Sequence, residues 1–134
     1  MVLSCGAFSS AFIVVDNFTT GAYSATYSTI NNTQMVNQTG SMLGGLRWLT
    51  YTITYKQLSQ AKYHVDLGDG VAMVSSDSGL RNTTILDYGL DSQLGYNDLN
   101  LNLSGNTKID LNFYNNDQDL TLMLFVRSAS QNSG

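Results

Sequence analysis

Residues 47–55 read Arg-Trp-Leu-Thr-Tyr-Thr-Ile-Thr-Tyr, and from Leu49 onward apolar or aromatic residues occupy every second position. In an extended chain the Leu, Tyr and Ile side chains of this run lie on one face, while Trp48 and the threonines lie on the other. Such alternation is typical of a strand buried on one side. The run therefore predicts a β-strand at the centre of the sequence.

Similar short runs recur along the chain, separated by Gly, Asn and Asp in turn segments such as Ser104-Gly105-Asn106. We find no helical period over a stretch of about ten residues. The pattern predicts an all-β, single-domain antiparallel β-sandwich of jelly-roll type with about eight or nine strands. The predicted strands lie near 11–17, 22–30, 47–55, 61–67, 70–76, 82–88, 97–103, 107–114 and 119–127.

The expected domain organisation is simple. Residues 1–127 are predicted to form the sandwich, with 1–17 as a strand that copies can exchange, and 128–134 have the composition of a polar tail. The longest purely apolar run, 11–15, is far shorter than the roughly 20 residues of a spanning helix, so no transmembrane segment is expected. The first residues do not read as a leader peptide, which leaves open a longer precursor. One cysteine, Cys5, excludes an intrachain disulfide.

The amino-acid composition limits the kinds of binding partner and the cellular location that we expect for the protein. Only 12% of the 134 residues are charged, against about 25% in an ordinary soluble domain, yet 43% are hydrophobic. The net charge of −4 and only six basic residues argue against nucleic-acid binding, which needs clustered Lys and Arg. Asn, Ser and Thr replace the missing charge, as is common in secreted proteins. We therefore expect an extracellular or cell-surface location.

Residues suited to catalysis are scarce. The chain has one histidine, His64, and no Glu, so zinc-hydrolase motifs are excluded. The Asp residues lie mostly in turn segments, and no two of them stand out as a general acid and base. We expect a protein that is not an enzyme.

Asp-rich turns are better suited to binding calcium than to catalysis, because Ca²⁺ takes oxygen ligands from carboxylates and amides. Asn115, Asp117 and Asp119 alternate in one candidate loop, and Asp66 and Asp69 belong to a second. Neither matches the complete helix–loop–helix pattern. A hairpin turn is the default interpretation of both loops, with calcium binding as the alternative, and no other cofactor is expected.

Aromatic side chains give a second kind of candidate site. Trp48, Tyr51 and Tyr55 are the candidate stacking platform for an extracellular polysaccharide. Trp48 serves in it if the Thr-rich face of its strand is exposed, and it is a core residue if that face is the inner one. Asn-x-Ser/Thr sequons, which are glycosylated only in a suitable secretory pathway, occur at Asn17, Asn31, Asn37, Asn82 and Asn102.

Three short segments resemble a known group. They are Val15-Asp16-Asn17-Phe18-Thr19-Thr20-Gly21, Gly44-Gly45-Leu46-Arg47 and Leu86-Asp87-Tyr88-Gly89. Their order resembles secreted bacterial proteins, frequent in cyanobacteria, that carry a D-[DN]-F opening, a G-G-x-R step into a strand and a Y-x-G segment, and that often end in a sorting signal. The resemblance implies export and an all-β fold, and it carries over no active site. We find neither a leader nor the C-terminal sorting segment in this sequence, which puts the export route in doubt.

The absence of proline and the scarcity of charge leave the predicted sheet edges without their usual protection. We therefore expect a non-enzymatic structural subunit of a surface assembly, filament or matrix that pairs strand edges with copies of itself; the alternative is a carbohydrate-binding module. The predicted donor strand is Ala11, Phe12, Ile13, Val14 and Val15, and the predicted central acceptor strand presents Leu120, Leu122, Leu124 and Val126.

Overall fold

The computed structural model describes residues 13–99, 110–114 and 119–126. The described chain is all-β, with six strands, one short 3-10 turn at Leu43–Gly45 and no α-helix in these ranges. The strands are β1 (Tyr23–Tyr27), β2 (Gln34–Thr39), β3 (Leu46–Lys56), β4 (Tyr63–Gly68), β5 (Val71–Ser76) and β6 (Leu80–Tyr88).

The six strands form two antiparallel sheets of three strands each, with the orders β1-β4-β5 and β2-β3-β6. The central strands supply the core, in which Leu49, Tyr51 and Ile53 of β3 form one cluster with Tyr63, Val65 and Leu67 of β4. Because the two sheets bury side chains against each other in this way, the fold is all-β and sandwich-like. The alternation along residues 47–53 is therefore the pattern of one inner and one outer face, as predicted, whereas Tyr55, predicted on the inner face, is exposed beyond a register shift.

Five of the nine predicted strands are present, as β1, β3, β4, β5 and β6. The sequence analysis missed β2, whose residues Gln-Met-Val-Asn-Gln-Thr include only two apolar side chains. Residues 34–39 are extended because they pair with β3 over their whole length, from Gln34 opposite Tyr51 to Thr39 opposite Leu46. Pairing with β3, rather than the intrinsic β-propensity of its residues, makes this segment a strand.

The strand predicted near 11–17 is wrong for its described residues, 13–17. The chain turns at Asp16, whose Oδ1 accepts a hydrogen bond from the backbone N–H of Phe18, and Phe18 has a positive φ of 55°. This local side-chain-to-backbone bond replaces a strand pairing.

The predicted acceptor strand is also corrected. Residues 119–126 form no strand, and the side chains of Leu120, Leu122, Leu124 and Val126 are exposed. Apolar residues on both faces of the segment, including Met123 and Phe125, predict a central strand, but the described residues 119–126 pair with no strand. Residues 97–99 and 110–114 likewise form no strand. The rest of the predicted strands 97–103 and 107–114, with Ala11, Phe12 and the tail 128–134, lies outside the described residues.

Clustering of the chain gives two compact units, Phe12–Leu99 and a second that combines Met1–Ala11 with Asn100–Gly134. Both sheets belong to the first unit. No helix within the described ranges is long and apolar enough to cross a membrane.

Candidate functional site

A buried arginine is the most prominent polar group of the described fold. Arg47, at the start of β3, has no solvent-exposed surface. Its Nε donates to Oε1 of Gln38 at 3.1 Å, its Nη2 donates to the carbonyl of Gly21 at 2.7 Å, and its guanidinium carbon lies 5.2 Å from the centre of the Phe18 ring. Every part of the guanidinium therefore has a defined neighbour.

The counter-charge is Asp16, which lies in the N-terminal segment and not on a strand. Its side chain is only 4% exposed, and its Oδ2 accepts from Nη1 of Arg47 at 2.5 Å and from the hydroxyl of Tyr88 at 2.8 Å. Its Oδ1 accepts from the Phe18 N–H at 2.7 Å. We call Asp16, Arg47 and Tyr88 the Asp16 cluster.

The Asp16 cluster joins three distant parts of the chain. Asp16 and Phe18 come from the first of the quoted sequence segments, Arg47 from the second and Tyr88 from the third. Arg47 and Tyr88 are directly opposite each other on β3 and β6. Gly44 and Gly45, with φ of 76° and 72°, make the tight turn that leads into β3. The segments that carried the family resemblance thus meet at one buried point.

The chemistry of the cluster is structural. Both oxygens of the Asp16 carboxylate accept hydrogen bonds from donors of the protein, two at Oδ2 and one at Oδ1, so its charge is balanced within the fold. In the described part of the chain no buried side-chain nitrogen or oxygen lacks a hydrogen-bond partner. The arrangement holds residues 16–18 against the β2-β3-β6 sheet.

Tyrosines line the adjoining core. The hydroxyls of Tyr23 and Tyr51 are 3.0 Å apart, and the Tyr63 hydroxyl lies 2.6 Å from Oγ1 of Thr84. Burial raises the pKa values of Tyr51, Tyr63 and Tyr88 above the ordinary tyrosine value, and the hydrogen bond to Asp16 raises the pKa of Tyr88 further. These hydroxyls are kept neutral and act as fixed hydrogen-bonding groups.

Alkaline pH is expected to unfold the protein cooperatively. The three buried tyrosines have higher pKa values folded than unfolded, where the value is about 10. Their stabilisation is complete below about pH 10 and is lost as pH rises toward the folded pKa values. β-sheet circular dichroism should therefore be lost in one transition above about pH 10. Tyr51→Phe should raise the midpoint pH, and Tyr55→Phe, at an exposed position, should leave it unchanged. A midpoint that Tyr51→Phe leaves unchanged or lowers would contradict this expectation.

The outer face of the β2-β3-β6 sheet carries the residues suited to sugar binding. Trp48 lies on this face and is half-buried, with its indole N–H donating to the Asp91 carbonyl at 2.9 Å. Asn37 of β2 and Asp87 of β6 lie directly opposite Trp48 on either side. The next outward row along the strands is Met35, Thr50 and Ile85. The structure therefore decides between the two sequence readings of Trp48, because it lies outside the core.

The other two residues of the predicted platform are placed differently. Tyr51 is buried on the inner face, so the structure excludes it from any platform with Trp48. Tyr55 is half-exposed beyond a register shift in β3, under the guanidinium of Arg81 at 5.7 Å. Sequence alternation had already placed Trp48 and Tyr51 on opposite faces, so they could not have formed one surface.

The predicted calcium ligands are not brought together where they can be described. Asp66 lies within β4 opposite Ser24 and Met73, and Asp69 lies in the following turn with φ of 50°. No three His, Cys, Asp or Glu side chains within ranges 13–99, 110–114 and 119–126 are grouped so as to hold a metal ion. Asn115 and Asp117 lie outside those ranges, and Asp119 is exposed.

The sequons and the single histidine occupy ordinary positions. The asparagines at 17, 31 and 37 are exposed, Asn82 is half-buried on the inner face opposite Ile53, and Asn102 lies outside the described residues. His64 is on the outer face of β4, where its Nδ1 is 3.0 Å from Oγ1 of Thr26.

Unprotected strand edges are visible in both sheets. The edge strands β1, β2 and β5 contain no charged residue and no proline, whereas β6 carries Arg81 and Asp87. Within the described chain β5 pairs on one side only, with β4, and five of its six residues are exposed.

No family model matches the chain, and no curated protein or solved structure matches it.

Proposed function

We propose that the protein is a non-enzymatic, extracellular structural subunit of a surface assembly, filament or matrix, and that its copies associate by β-strand pairing at the free edge of β5. The observation that carries this proposal is the character of β5, which is uncharged, exposed from Val71 to Ser75 and, among the described residues, paired in a sheet on one side only. Such an edge presents unpaired N–H and C=O groups to another chain. The complete fold is proposed to be a jelly-roll sandwich.

The inner face of β5 supports association. Val74 lies opposite the fully buried Val65 of β4, yet Val74 itself is 47% exposed because no described strand covers the far side of β5. Val71 and Met73 on the outer face are exposed to a similar extent. Addition of one strand would bury this apolar surface and satisfy the free backbone groups together.

The proposed occupant is the segment 11–15 of a second copy. Its described residues Ile13, Val14 and Val15 are exposed, and the Val15 carbonyl accepts from the Leu43 N–H at 2.8 Å. Like β5, the segment has no charge, so nothing opposes the pairing. The acceptor is β5 in place of residues 120–126, which form no strand. Copies joined by such a heterologous contact form filaments when the symmetry does not close. Calcium is not required by this mechanism.

A charge at Val74 is expected to abolish association. In a single copy the lysine of Val74→Lys can extend its stem along the free edge and keep its ammonium group in water. A second strand would bury that charge, so the association constant should fall at least about tenfold, which corresponds to about 1.4 kcal/mol. Sedimentation velocity over a concentration series measures the change, and circular dichroism checks the fold.

Val74→Thr is the matched control, because threonine is β-branched, uncharged and similar in shape. It should associate nearly as the unmodified chain does. Association of Val74→Lys at normal strength would remove β5 from the mechanism, and a chain that stays monomeric at every concentration would refute the proposed function.

One observation favours a second candidate function, that of a carbohydrate-binding module. Trp48 lies on an outer sheet face between two polar side chains instead of in the core. An aromatic ring flanked by hydrogen-bonding groups is the usual composition of a small-ligand site. We propose this role alongside assembly, since a matrix subunit can use both.

A further inference from the structure

We infer that the outer face of the β2-β3-β6 sheet holds a binding site for one neutral hexopyranose unit of an extracellular polysaccharide, formed by Asn37, Trp48 and Asp87. This inference rests on the second candidate function and specifies its site and ligand class. The three residues come from three adjacent strands and are in direct register, with Asn37 and Asp87 each opposite Trp48.

The geometry suits a single sugar ring. Adjacent strands lie about 4.8 Å apart, so the chain positions of Asn37 and Asp87 are separated by about 10 Å with the indole between them. That span places the two side chains at opposite edges of a pyranose lying over the indole. Hydroxyl groups at the two edges can then meet the amide on one side and the carboxylate on the other.

The indole is fixed in advance of binding. Its N–H is already used in the hydrogen bond to the Asp91 carbonyl at 2.9 Å, so the ring contributes its apolar surface to a ligand. A ring that is already oriented loses little conformational freedom on binding. The C–H groups of a pyranose face match such a surface.

The two flanking side chains reach the surface of the sheet, since Asn37 is exposed and Asp87 is partly exposed. Among the described residues neither side chain makes a hydrogen bond to another. The Asn37 amide can both donate and accept, and the Asp87 carboxylate accepts from hydroxyls in charge-assisted bonds.

Charge selects a neutral ligand. Asp87 is the one charged residue in the three rows formed by Asn37–Trp48–Asp87, Met35–Thr50–Ile85 and the Thr52–Thr83 pair. The chain as a whole has a net charge of −4. An anionic polymer would therefore be repelled at this face, whereas a neutral hexose polymer would not.

The test uses the fluorescence of Trp48, because it is the only tryptophan in the chain and reports from the site itself. The full chain is made in a host that adds no N-glycans and is titrated with dextran, mannan and galactan, with alginate as the anionic comparison. Affinity electrophoresis in gels that contain the same polymers measures binding independently. At least one neutral polymer should shift the fluorescence and retard migration, and alginate should do neither.

Four variants locate the site. Asn37→Ala and Asp87→Ala should each weaken binding about tenfold, which corresponds to about 1.4 kcal/mol. Trp48→Phe keeps an aromatic ring and a stable fold and should weaken binding less than either. Thr83→Ala, on the same outer face but two rows away, is the matched control and should bind normally.

The outcomes separate the site from the function. Retardation by a neutral polymer that survives in both Asn37→Ala and Asp87→Ala would overturn this site and leave the carbohydrate-binding role standing. If none of the three neutral polymers retards the protein, the carbohydrate-binding role and the site both fail.

Discussion

Replacement of Asp16 by asparagine is expected to lower the free energy of unfolding by about 3–5 kcal/mol, the usual cost of removing one partner from a buried ion pair. Arg47 has no exposed surface, so its charge cannot reach water when the carboxylate is gone. Its other acceptors, Gln38 and the Gly21 carbonyl, are neutral. Chemical denaturation followed by circular dichroism measures the loss.

A double-mutant cycle isolates the pair. Arg47→Met leaves the Asp16 carboxylate buried with only Tyr88 and the Phe18 N–H as donors, so it should also be strongly destabilising. The double variant removes both charges and should be more stable than the sum of the single effects predicts, by at least about 1 kcal/mol. Asp66→Asn, on the outer face of β4, is the control and should change stability by less than about 0.5 kcal/mol. A loss in Asp16→Asn as small as in the control would contradict the structural role.

The Asp16 cluster was partly accessible from the sequence. Arg47 lies two, four and six positions before Leu49, Tyr51 and Ile53. The alternation that predicts β3 therefore also places Arg47 on the inner face. A buried arginine then requires an acidic partner. What the sequence could not supply is which aspartate, because Asp16 is 31 residues away by chain and belongs to no periodic run.

The errors have a common physical cause. Alternation assigns residues to two faces but does not say which face is covered, so Trp48 could be read as core or as surface. The same limit applies to 119–126, which are apolar on both faces but have no described partner strand. The reverse case is β2, which has a weak pattern but a complete partner in β3. Strand pairing and burial depend on the assembled sheets. The alternation of apolar and polar residues along one segment predicts them only when one face is clearly apolar.

Removal of residues 1–14 is expected to abolish association while leaving the fold intact. The deletion removes most of the proposed donor segment, including the exposed Ile13 and Val14. It retains Val15, whose carbonyl accepts a hydrogen bond from the Leu43 N–H. The new N-terminal ammonium group is then on Val15, directly before Asp16. The Asp16 cluster should therefore survive, and the β-sheet circular dichroism of the two sheets should be retained.

Removal of residues 1–18 supplies the contrast, because four more residues take away both Asp16 and the Phe18 ring that lies against Arg47. The guanidinium then loses both its counter-charge and the ring packed against it, so this variant should lose about 3–5 kcal/mol or fail to fold. Sedimentation velocity and denaturation on the two truncations distinguish donation from stability. If the 1–14 deletion associates normally, the N-terminal segment is not the donor. If the 1–18 deletion is as stable as the full chain, the Asp16 cluster does not hold residues 16–18 against the sheet.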